Sequence, residues 1–311
     1  MLVNDKFKGN ESHLKAADSI DLHARAITLI ESHTFTGLTS LRYLCLRTNR
    51  LTCIQSNLFV DLSRLVYLDL SWNSLTWMHK ASFRGLHNLQ FLNINSNQLW
   101  SVYGHTFNGL SKLVSLSMTN NKIVKFDAAT FLGLTNLEEL YLSWNQLTLI
   151  ETATFNDLNR LAFLNLTWNQ LTKIEPACFK SLHNLLALDL SWNHLASIDS
   201  ETFSKLTNLD WLTLGGNQLT FIEPDTFNGL IHLQYLYLFS NQLTFIDSDT
   251  FKGLTKLQQL DLSSNQLASI DSNAFSNTNS LNQISIFLQN NPLINKGQTR
   301  VCGLNVKCHI F

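Results

Sequence analysis

The chain has 311 residues, with 22 Lys+Arg against 23 Asp+Glu and a formal net charge of -1. Its 14% charged residues compare with roughly 25% in an average soluble domain, yet 45% are hydrophobic, which excludes a disordered chain. No stretch reaches the ~18 consecutive apolar residues of a spanning helix, and no Lys/Arg block marks a nucleic-acid or anionic-membrane surface. In chain order, residues 1–16 form a polar tail in which Asp5, Lys6, Lys8 and Glu11 stand where a secretory signal needs an apolar core. Either the protein stays inside the cell or this is a processed or partial form. Residues 17–40 read as a degenerate repeat that caps the stack, because a terminal repeat must face water on one side.

From residue 41 to 280 the chain is ten 24-residue blocks without insertion or deletion, beginning at Leu41, Leu65, Leu89, Leu113, Leu137, Leu161, Leu185, Leu209, Leu233 and Leu257. Leu at position 4 and Leu, Ile or Met at position 6 alternate with variable residues at 3, 5 and 7. That period of two predicts a short strand with one buried face. One strand per block, in register, predicts a parallel sheet with neighbours about 4.8 Å apart. Position 9 is always Asn: Asn49, Asn73, Asn97, Asn121, Asn145, Asn169, Asn193, Asn217, Asn241 and Asn265. Each amide carries donors and an acceptor, suited to turn backbone of its own and the adjacent block. Position 19 is always Phe, from Phe59 to Phe275, and predicts a second internal column opposite the sheet. No block can bury these columns alone; stacking creates the core.

Position 15 carries an acidic column from Asp127 to Asp271. One acid per turn supplies too few oxygens for Ca²⁺, and the preferred reading is that these acids start the turn leading to Phe. Residues 281–311 read as a decayed eleventh block opening at Leu281, followed by a partial cap. The ending Cys308-His309-Ile310-Phe311 has the form of a prenylation signal, but His309 replaces the usual aliphatic residue and no polybasic stretch precedes it.

The block L-x-x-L-x-L-x-x-N-x-L, as in residues 137–160, resembles the 24-residue "typical" leucine-rich repeat of Toll-like receptors, Slit proteins, small leucine-rich proteoglycans and variable lymphocyte receptors. The resemblance implies a right-handed horseshoe solenoid with a parallel β-sheet on its concave face and short turns or 3-10 segments on its convex face. It implies an extracellular protein binder; a cytoplasmic adaptor is the alternative that the missing signal and the odd count of five Cys favour. Family members usually carry Cys caps. No Cys precedes Cys45, Arg25 takes the Asn position of the first unit, and Asn291-Pro292-Leu293 resembles the entry to a C-terminal cap. Cys302 and Cys308 follow it, either bonded or as two free thiols.

No catalytic constellation is present: there is no H-E-x-x-H, G-x-S-x-G, phosphate-cradling Gly loop or C-x-x-C pair. His87 and His183 share a position but lie four blocks apart, about 19 Å along the stack, too far for one metal. The reading is therefore a non-enzymatic chain with no cofactor and no metal.

Candidate binding residues are the aromatics expected on the concave face. Position 8 is Trp at Trp72, Trp144, Trp168 and Trp192, and position 3 supplies Tyr43, Tyr67, Phe91, Phe163, Trp211 and Tyr235. Tyr141, Tyr237 and Phe239 add to them, and the most aromatic arc runs from Tyr141 to Phe239. Trp and Tyr are enriched at interface hot spots, so this arc predicts a site for a protein or glycoprotein ligand. Copied repeats that merely stiffen the sheet, or a matrix protein self-associating through uncapped ends, are the competing readings. Sequons at Asn10 and Asn165 add a tension, because a glycan on Asn165 would obstruct that face.

Overall fold

A computed structural model describes residues 16–276, 278 and 284–293, with the backbone of 306–309. The chain divides into two units, Met1–Leu147 with Ala153–Leu161, and Thr148–Thr152 with Ala162–Phe311. Each is a parallel-sheet solenoid of the kind the alternation predicts. In the first unit the strands are β1 (Ser19–Asp21), β2 (Tyr43–Cys45), β3 (Tyr67–Asp69), β4 (Phe91–Asn93), β5 (Ser115–Ser117) and β6 (Glu139–Tyr141). They pair in sequence order, and each residue faces its counterpart 24 residues on, as Leu44 faces Leu68 and Leu68 faces Leu92. The central residue of each strand, Ile20 in β1 and Leu in β2 to β6, is buried and its neighbours flank it on the outward face, as in the pattern of β4, exposed–buried–half-buried.

The second unit holds β7 (Phe163–Asn165), β8 (Ala187–Asp189), β9 (Trp211–Thr213), β10 (Tyr235–Tyr237), β11 (Phe245–Ile246), β12 (Gln259–Asp261), β13 (Ser269–Ile270), β14 (Ile284–Phe287) and β15 (Val306–His309). Its main sheet runs β7-β8-β9-β10-β12-β14-β15, and β11 pairs with β13 on the far side of the turn. One step breaks the 24-residue rule. Leu260 pairs with Ile286, a spacing of 26, so the eleventh strand starts two residues later than a block opening at Leu281 requires. Asn291 then accepts from the Leu267 N–H at 3.0 Å and donates to Leu262 O at 2.9 Å. It occupies the ladder position of this last turn.

The Asn side chains lock one turn to the next. Asn97 accepts from the Leu75 N–H at 3.0 Å and donates to Leu70 O at 3.0 Å and to Ile94 O at 3.1 Å. It therefore satisfies the preceding turn and its own with one buried amide. Asn49 does the same towards the first turn, accepting from Arg25 N at 3.1 Å and Ile27 N at 3.0 Å. On the opposite side the Phe column is closed to water: Phe59, Phe107, Phe179, Phe203, Phe227 and Phe251 are 0% exposed. Phe107 and Phe131 stack at 6.3 Å, and Phe203 and Phe227 at 6.4 Å. Hydrogen-bonded strands lie only about 4.8 Å apart. The Phe side of each turn is thus wider than its strand side, which bends each unit towards its sheet.

The acidic column behaves as turn caps. Asp199, Asp247 and Asp271 each accept through Oδ1 from the N–H two residues on, at 2.8, 3.0 and 2.8 Å. No group of three or more His, Cys, Asp or Glu suited to a metal ion occurs among the described residues. No helix of the described residues is long and apolar enough to cross a membrane. Cys45, Cys53 and Cys178 are free, and burial pushes the Cys178 thiol well above its ordinary range. Cys302, the side chain of Cys308 and the sequon at Asn10 lie outside the described residues.

Candidate functional site

The sheet face of the second unit is built by the outward residues of β7 to β10. Leu164, Leu188, Leu212 and Leu236 are each 0% exposed. The alternation that buries them turns Phe163, Trp211, Tyr235 and Tyr237 outward, and all four are half-buried. Trp168 and Trp192 follow their strands at the turn, 42% and 40% exposed. Their indoles stack face to face, with centroids 4.9 Å apart and an interplanar angle of 7°. Phe239 closes the far side of Trp192 edge-on, at 6.4 Å and 61°.

Gly215 and Gly216 make this grouping possible. A Cβ on Gly216 would lie 2.6 Å from the Trp192 indole carbons, and one on Gly215 would lie 2.4 Å from Phe239 Cε1. Trp192 therefore leans forward onto the glycine backbone of the next turn, and Phe239 leans back onto the same dipeptide. Any side chain there would lift one ring or the other. Trp211 and Tyr237 form a second pair at 5.9 Å and 58°. Burial raises the Tyr237 phenol, opposed by a hydrogen bond with the Trp211 side chain. Beside them, burial raises the Asp189 carboxyl, which Ser191 holds through its hydroxyl and its backbone N–H, the latter at 2.9 Å.

Of the predicted residues, the structure thus brings Trp168, Trp192 and Phe239 into one group and Trp211 and Tyr237 into another, with Phe163 and Tyr235 on the same strands. Tyr141 and Trp144 belong to the first unit. Tyr141 donates to Glu139 Oε2 at 3.3 Å, and burial, then the Glu139 charge, raises its phenol. Trp144 is 54% exposed. Asn165, the sequon on this face, accepts from the Thr167 N–H at 3.0 Å, so its amide oxygen is held in a local turn. The Gly floor gives those two glycines of the outward face a structural role in the group. Its signal was present: the run of Trp at position 8 ends in Gly215-Gly216, and a ring one repeat earlier needs a smooth surface to lie on.

The family model described as Leucine rich repeat matches in overlapping segments: residues 15–75, 46–99, 73–123, 87–147, 112–171 and 145–195. A second, described as BspA type Leucine rich repeat region, matches six copies over residues 172–297. The chain is a leucine-rich-repeat protein. No curated protein matches its sequence significantly. Among solved structures this leucine-rich-repeat chain is similar to one in the octameric complex of latrophilin 3, Unc5D and the leucine-rich-repeat region of FLRT2. There the TM-score is 0.78 at 23% identity, covering 95% of this chain and 90% of that one. A chain of the Drosophila Toll–Spatzle complex gives 0.74 at 21% identity, covering 88% of this chain and 41% of that one. A chain of the TLR13–ssRNA13 complex gives 0.70 at 22%, covering 90% and 52%. The protein thus spans about half or less of the Toll and TLR13 chains. At these identities the likeness carries the fold.

Proposed function

We propose that this leucine-rich-repeat protein is a non-enzymatic binding module that recognises a protein or glycoprotein ligand through the sheet face of its second unit. The observation that carries the reading is the Trp168–Trp192–Phe239 group, laid on Gly215-Gly216 and still open to solvent. Large, rigid aromatic surface already fixed in place loses little entropy on binding, which is the property of interface hot spots. The Toll and FLRT2 structures are complexes with protein partners, which supports a protein ligand; the TLR13 complex holds single-stranded RNA.

The charge pattern favours protein over nucleic acid here. Strands β7 to β10 and β12 carry Asp189 and Asp261 but no Lys, Arg or His. Such a face repels phosphate and suits a segment with Arg or Lys, whose cations pack on indole faces. The reading is tested by capturing ligand from native-source extract on the wild type and on the Trp168→Ala/Trp192→Ala variant. Hot-spot loss predicts binding weakened by about 2 kcal/mol or more, with an unchanged circular dichroism spectrum. Equal capture by both proteins removes the site assignment.

A further inference from the structure

The turn side of the first unit carries a second site, unrelated to the aromatic face. Position 21 of a block follows the buried Phe, and at Gly37, Gly85, Gly109 and Gly133 the backbone is left-handed, with φ of 76, 99, 89 and 82°. At two of these, the amide reaches across to the next repeat. Gly37 N–H donates to Asp61 Oδ2 at 2.9 Å, and Gly133 N–H donates to Asp157 Oδ2 at 2.9 Å. In both, the acceptor is the residue 24 positions on, an aspartate that takes the place of glycine in the column.

Gly85 has the same backbone, but the residue 24 positions on is Gly109, which has no side chain. Among the described residues, none accepts from the Gly85 N–H. Gly85 is nonetheless buried. At this point a cleft of about 220 Å³ opens, lined by Lys80, Arg84, His87, Asn108 and the two glycines, among others, and by no acid. Neither Lys80 nor Arg84 pairs with a carboxylate among the described residues.

The gap in the aspartate column recurs at Gly109 and Gly229, whose counterparts 24 positions on are Gly133 and Gly253, and the cations set the Gly85 turn apart from these as well. Lys80, Arg84 and His87 stand at positions 16, 20 and 23 of their block. The same positions are Ser32, Thr36 and Thr39 beside Gly37, and Ala128, Leu132 and Thr135 beside Gly133. They are Gly104, Asn108 and Ser111 beside Gly109, and Pro224, Asn228 and Ile231 beside Gly229. Where the fold supplies its own carboxylate, none of these three positions holds a cation. Of the three glycine turns that lack that partner, the Gly85 turn combines a buried glycine with cations at all three positions.

We propose that the cleft between Gly85 and Gly109 binds a carboxylate from outside the chain, which takes the acceptor role that Asp61 and Asp157 play for Gly37 and Gly133. One oxygen accepts from the Gly85 N–H; Arg84 and Lys80 neutralise the charge, and a guanidinium can meet a carboxylate with two parallel hydrogen bonds. The carboxylate is either a free small acid or an Asp or Glu side chain of a partner protein. The two sources share this chemistry.

The test is an amide-resolved NMR titration of the ¹⁵N-labelled full chain at constant ionic strength, with sodium acetate, with blocked aspartate (N-acetyl-aspartyl-amide) and with inorganic phosphate. The expected result is a saturable shift of the Gly85 amide with acetate and none at Gly133, whose amide is already held by Asp157. Lys80→Ala/Arg84→Ala, both at exposed positions, should weaken acetate binding about fivefold or more. Blocked aspartate binding more tightly than acetate assigns the site to an acidic side chain of a partner; the reverse order assigns it to a free carboxylate. Phosphate binding more tightly than both overturns the carboxylate assignment. A Gly85 shift that stays linear, or that Gly133 matches, overturns the site.

Discussion

Trp72, Trp144, Trp168 and Trp192 all sit at φ between 54° and 56°. A bulky residue in that left-handed region costs roughly 1–2 kcal/mol, whereas Asn tolerates it. The turn demands this conformation in every repeat, and the chain shows easier solutions: Asn120 at 56° and Asn290 at 58° occupy the same place. The Trp residues are therefore poor choices for stability. Trp72, 55% exposed, is the cleanest case. Trp72→Asn should raise stability by about 1 kcal/mol, read from the denaturant midpoint. A loss of stability would show that the indole is a packing residue and would weaken the view that these aromatics face a ligand. The Trp168–Trp192 stack recovers part of the strain, since such pairs contribute about 0.5–1.5 kcal/mol beyond area burial.

Most strands are three residues long, too short to hold together in isolation, and the Asn ladder is what couples them. Removing one rung strands backbone groups on two turns at once. Asn97→Ala leaves the Leu75 N–H and the Leu70 and Ile94 carbonyls without that partner. At about 1–3 kcal/mol per buried unsatisfied group, the cost should be about 3 kcal/mol or more. Asn97→Asp should be no better, because it keeps the acceptor but loses the donor and sets a charge against two carbonyls. Equilibrium unfolding of the two variants checks this; a midpoint within error of wild type would mean that the turns are held by other contacts. The same ladder explains why the two-residue offset before β14 is tolerated. Asn291 still reaches Leu262 and Leu267, and β14 still pairs with β12, so the sheet continues across the offset.

Within each unit, each turn touches its neighbours along the stack, so stability is a sum of local and nearest-neighbour contributions. Phe203 is fully buried between Phe179 and Phe227. Phe203→Ala should cost about 3–5 kcal/mol, and its effect should stay local. Hydrogen exchange should lose protection most in the turns that carry these three Phe residues and least near β1 and β2. A uniform loss along the chain would show global cooperativity instead.

The repeat length, the buried Leu face and the parallel pairing were legible in the one-dimensional pattern. Every block repeats the same local problem, and 24-residue periodicity allows one in-register solution. The individual aromatics were legible as residue types on the outward face. Their grouping was not, because it depends on where a ring lies after its backbone is placed: Trp192 and Phe239 are 47 residues apart in sequence and meet only over Gly215-Gly216. The cleft at Gly85 was hidden for the same reason. His87 read alone is a scattered surface histidine. Its company of Lys80, Arg84 and an unanswered amide becomes visible only when a column of glycines is compared, turn by turn, with the aspartates that fill it. Periodicity encodes the backbone, since all copies share it; the sites arise where neighbouring copies differ, and those differences acquire meaning through contacts that stacking creates.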